Sequence, residues 1–150
     1  MEELIQLFND HQIRYLVIGG QAVRLEGFPR FSMDWDLLLP SRDEKNVARI
    51  NTLLTDELDV PLEILGPHGE NFIQTYQTRW GIVQFHLGRP PGMEPFDVLE
   101  TRATEHQLKN GVLVKCINGK DLLSSKRAVS RPSDLEDIEF LEAKEKAGLL

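Results

Sequence analysis

With a single cysteine in 150 residues, the chain can form no internal disulfide. Cys116 also lacks the spaced partners of a zinc site, and its setting in Val112 to Ile117 reads as a strand in which the thiol is packing material. No apolar run approaches the roughly 20 residues needed to span a bilayer, so no membrane association is expected. The opening Met1-Glu2-Glu3 is acidic where a secretory signal is basic, and a cytoplasmic location is the expectation. Positive charge is scarce: 17 Lys and Arg stand against 24 Asp and Glu, a net charge of -7. That balance excludes broad, sequence-independent binding of nucleic acid, which rests on neutralising phosphates. An anionic substrate is still admissible, because clustered carboxylates recruit divalent cations that carry the charge phosphates need. The Gly-x4-Gly-Lys-Ser/Thr phosphate loop is absent. His11, His68, His86 and His106 have no metal-ligand spacing, and none is spaced to serve Ser124 or Ser125 as a base. His86 is read as a packed or surface residue of a strand, although it could line a site on that sheet.

What is present is an ordinary globular balance, 41% hydrophobic and 27% charged, without repeat, low-complexity tract or linker. Leu4, Ile5 and Phe8 at helical spacing predict a short amphipathic helix at the start. Tyr15 to Ile18 reads as a buried strand stopped by Gly19-Gly20, and Gln21 to Glu26 as a short helix closed by Gly27. Trp35 to Leu39 is a second strand. Ser41 with Glu44 fits a capping box opening a helix on Val47, Ile50 and Leu54. Phe72 to Thr78 and Gly81 to Leu87 read as a strand pair turning at Arg79-Trp80, and Phe96 to Leu99 as another short strand. After Val112 to Ile117, a helix is expected from Lys120 to Val129. A second capping box, Ser133 with Glu136, would open a last helix that buries Leu135, Ile138 and Leu141. The expectation is one α/β domain over residues 1–150, a mixed sheet flanked by helices with two helices at the end.

The segment from Gly19 to Leu39 carries the chemistry. Asp34 and Asp36 lie two apart at the head of an apolar strand, so their carboxylates share a face about 7 Å apart at the backbone. Solvent or a hard cation must dissipate their repulsion. Gly19-Gly20, at a strand-to-helix turn, lets backbone N–H groups approach a phosphate closely.

A strand ending Gly-Gly, a short helix, and a loop with Arg and Ser before Asp-x-Asp is similar to the signature of the DNA polymerase beta-like nucleotidyltransferases. Gly19, Gly20, Gly27, Arg30, Ser32, Asp34 and Asp36 carry the resemblance, which looks most like the small bacterial abortive-infection and toxin–antitoxin members. It implies a nucleoside triphosphate donor, two magnesium ions and a hydroxyl acceptor on a protein, a transfer RNA or a small molecule. It also implies a third metal-binding carboxylate on a later strand. Asp97 is the candidate, Glu63 the competitor and Glu100 a weaker one. Gly19, Gly20, Arg30, Ser32 and Lys126 would hold the nucleotide, Lys126 reaching the triphosphate unless it is simply a solvated helix charge. Arg131 and Asp137 would tie the last two helices together. A small helical partner protein would accompany a toxin–antitoxin role. The alternative is a noncatalytic member that binds a nucleotide or a partner. The chain departs from the commoner pattern at Gly20, Gln21 and Ser133.

Overall fold

Six strands and six helices follow one another along the chain, and a computed structural model describes residues 1–150 of it. Helix α1 (Glu2–Asp10) buries Leu4, Ile5 and Phe8, as their spacing predicts. Strand β1 (Leu16–Ile18) is wholly buried and runs directly into α2 (Gly19–Leu25). Strand β2 (Trp35–Leu38) follows, then α3 (Glu44–Leu53), the hairpin β3 (Ile73–Thr78) and β4 (Gly81–His86), and α4 (Phe96–Thr101). The chain ends with β5 (Thr104–Gln107), β6 (Leu113–Cys116), α5 (Gly119–Val129) and α6 (Leu135–Lys146).

The sheet order is β3-β4-β2-β1-β6-β5. Strands β2 and β4 run parallel, as do β1 and β6, while the remaining neighbours are antiparallel. The architecture is thus the expected mixed sheet flanked by helices, with two helices closing the chain. Leu16, Val17, Leu37, Val83 and Phe85 are fully enclosed at its centre. No helix is long and apolar enough to cross a membrane.

Four local expectations are corrected. Phe96 to Leu99 begins a helix, not a strand: Pro95 precedes it, Asp97 sits in the first turn, and Leu99 is its one buried residue. Strand β5 was not foreseen, because Thr104-Glu105-His106-Gln107 is an edge strand with a wholly polar sequence. Helix α3 is capped by Asp43, which accepts from the Asn46 amide, and not by Ser41. Nor does Ser133 open α6. Asp134 turns inward there to accept from the Arg131 amide, leaving Leu135 exposed and Asp137 buried beside Leu141.

Candidate functional site

The turn from β1 into α2 faces the head of β2. Antiparallel pairing sets Ile18 opposite Asp36, so Gly19 falls beside the Asp36 carboxylate. Gly19 has φ +70, and a Cβ there would lie 2.5 Å from Asp36 Oδ2. Glycine is therefore required twice over, for its backbone and for its lack of a side chain. A Cβ on Gly20 would press on Ser32 Oγ at 2.7 Å and Arg30 Nη1 at 3.3 Å. The loop before Asp34 is held against α2 by Gln21, whose buried amide donates to the Ser32 carbonyl at 2.9 Å. Gln21, a departure from the commoner pattern, is thus the residue that fixes the loop.

Gly19, Gly20, Arg30, Ser32, Asp34, Asp36 and Lys126 all line one cavity of about 280 Å³, together with Arg131, Ser133 and Asp134. The two carboxylates and the glycine turn therefore meet as the spacing predicts. The cationic wall is less free than expected. Lys126 is nearly enclosed, with Nζ 3.0 Å from Asp134 Oδ1 and 3.2 Å from Asp137 Oδ2. Arg30 Nη1 donates to Asp137 Oδ2 at 2.6 Å, and Arg131 Nε to Asp134 Oδ2 at 3.0 Å. Asp134 and Asp137 are buried at 2% exposure because three cations converge on them, and Asp137 joins α6 to Lys126 of α5. Burial alone would raise the Asp134 carboxyl. Arg131 and Lys126 outweigh burial and hold its pKa at about 2. Three cations against these two carboxylates leave the wall one positive charge, set opposite Asp34 and Asp36.

Asp97 is not brought to this cavity. It is 84% exposed on α4 and bonds Arg14 Nη2 at 2.7 Å. Arg14 also holds Asp43 and Glu100, so Glu100 is committed to the same cluster. Hydrogen bonds that Arg14 donates to Glu100 first, then to Asp97 and Asp43, raise its pKa. Glu63 lines a separate groove beside α3. Beside Asp36 on the neighbouring strand stands Gln84 instead, its partner in the parallel β2–β4 register. His86 Nε2, one step further along that face, lies 2.9 Å from Asp36 Oδ1. Sequence reading noted His86 but could not pair it with Asp36, since that contact depends on which strand lies next to β2.

The donor set fits one hard divalent ion. Magnesium is commonly held by one or two carboxylates plus substrate phosphates, which Asp34 and Asp36 can supply from one cavity. It does not fit a second. No three His, Cys, Asp or Glu side chains converge to hold a metal.

No protein-family model matches the chain, and no curated protein matches its sequence. Solved structures do. The chain is similar to the lincomycin-bound lincosamide antibiotic adenylyltransferase LnuA, with 18% identity over 93% of this chain and 92% of that one, and a TM-score of 0.61. An antigenic nucleotidyltransferase-like protein from Paracoccidioides brasiliensis is 20% identical, with a TM-score of 0.50 over 93% of this chain and 72% of that one. The likeness shows the fold: a mixed α/β nucleotidyltransferase fold.

Proposed function

We propose that the chain is a nucleotidyltransferase that moves a nucleoside monophosphate from a nucleoside triphosphate to a hydroxyl acceptor. One observation carries the reading: Asp34 and Asp36 open into the same cavity as Gly19-Gly20, Arg30 and Lys126. A divalent ion bound with the nucleotide would supply positive charge to the phosphates. Asp34 and Asp36 would hold that ion, and magnesium suits their oxygens. The Gly19-Gly20 backbone lines the cavity and would offer its N–H groups to phosphate oxygens, with the Ser32 hydroxyl beside them. Lys126 and Arg131 hold the opposite wall positive, acting from within their ion pairs rather than as free reaching side chains. The acceptor oxygen would attack the α-phosphorus, pyrophosphate would leave, and the hydroxyl proton would pass to solvent. The two-ion form of this chemistry that the sequence resemblance implies is not adopted, because its third carboxylate is missing from the cavity.

The acceptor class follows the same lines. LnuA is by name a lincosamide antibiotic adenylyltransferase, and a small hydroxyl-bearing molecule is the acceptor proposed for this cavity of about 280 Å³. A protein or transfer RNA would need surface beyond this cavity, as would a helical toxin–antitoxin partner. A second reading is favoured by the position of Asp97: a noncatalytic protein that binds the metal–nucleotide complex without turning it over. Labelled nucleoside triphosphates with magnesium and candidate acceptors separate the two. Asp36→Asn should abolish both binding and transfer while the circular dichroism spectrum is preserved. Full transfer by that variant would overturn the assignment.

A further inference from the structure

We infer that the cavity takes one divalent ion with its nucleotide rather than two, because Gln84 stands at the β4 position paired with Asp36, where a third carboxylate would sit, and His86, the next residue on that face, is no carboxylate either. The inference rests on the reading of the cavity as a nucleotide site. Strand β2 has two neighbours, β1 and β4. Residues paired in register point to the same face of a sheet. On β1 the partner of Asp36 is Ile18, an apolar residue leading into the glycine turn, and on β4 it is Gln84. A carboxamide offers a neutral oxygen and no charge. His86 Nε2 lies 2.9 Å from Asp36 Oδ1, so one of the two Asp36 oxygens already has a protein partner.

The other acids that could be recruited are spent. Asp134 and Asp137 are each held by two cationic side chains. Asp97 and Glu100 are held at a distance by Arg14. Two ions about 3.5–4 Å apart would both have to draw on Asp34 and Asp36, with no third carboxylate to share the coordination.

Equilibrium dialysis with Mn²⁺ and saturating α,β-methylene-ATP counts ions per bound nucleotide. The wild-type chain should hold one, and Gln84→Asp should hold two; Gln84→Glu serves if the aspartate variant unfolds on a thermal melt. Two ions on the wild-type chain would overturn the inference while leaving the nucleotide site standing. A count that stays at one in both folded acidic variants would overturn it as well, since Gln84 would then not be the vacated position. No bound nucleotide at all would overturn the nucleotide-site reading itself, and the inference with it.

Discussion

Gly19 shows how little freedom single positions in the cavity have. Its φ of +70 costs an L side chain about 1–2 kcal/mol, and its neighbour Asp36 Oδ2 leaves no room for a methyl group. Gly19→Ala should lower stability by at least that amount and weaken metal–nucleotide binding at least tenfold, as urea unfolding and isothermal titration would read. Asp134 governs the acid limb of stability. Its pKa of about 2 in the folded chain lies below the ordinary value of about 3.9, so its ionised form favours folding. That contribution is complete above about pH 4 and disappears as the pH falls towards 2. Urea midpoints measured across this window should drop for the native sequence and change less for Asp134→Asn. These residues differ in legibility. Asp34, Asp36 and the glycines lie within one local motif, and the spacing alone put them together. Gln84 and His86 are separated from Asp36 by some fifty residues, and only the strand order brings them to it.

At the scale of elements, α4 decides the fate of the third acid. As a strand, Phe96 to Leu99 would have delivered Asp97 to the sheet. As a helix it presents Asp97 to solvent and to Arg14, with Phe96 stacked under the guanidinium at 5.2 Å. Asp97→Asn should therefore leave nucleotide binding unchanged and shift stability by less than about 1 kcal/mol, as suits an exposed ion pair. A tenfold loss of nucleotide affinity in that variant would return Asp97 to the site. A short apolar run is ambiguous between helix and strand, and here the preceding proline and the early aspartate were the signals for helix. The overlooked β5 had a signal too. Asn110-Gly111, with φ of 65 and 76, is the dipeptide that tight hairpins favour, and it joins β5 to β6. The hairpin β3–β4 was plain because its strands alternate and its turn is short.

For the molecule as a whole, a net charge of -7 sits on a chain whose cavity, on the proposed function, has to draw in a phosphate-bearing substrate. The protein resolves this locally, by burying Lys126 with two carboxylates and leaving Arg30 and Arg131 partly open beside them. Nucleotide should consequently bind only together with a divalent ion. At a hundredfold excess over the dissociation constant, ATP with magnesium should stabilise the fold by about 2.7 kcal/mol, seen as a rise in Tm that EDTA removes. A rise that persists in EDTA would show binding without the metal. The fold class was readable because strands and helices alternate along the sequence. The order in which six strands line up was not, since it depends on contacts between distant segments.

Arg30 and Asp137 are joined across 107 residues of chain. While the protein is being made, Arg30 emerges just ahead of Asp34 and Asp36, and the carboxylate that anchors it arrives last, on α6. Until α6 has docked, the loop that carries Arg30 lacks this tie, so the cavity takes its final shape only after the last helix is in place.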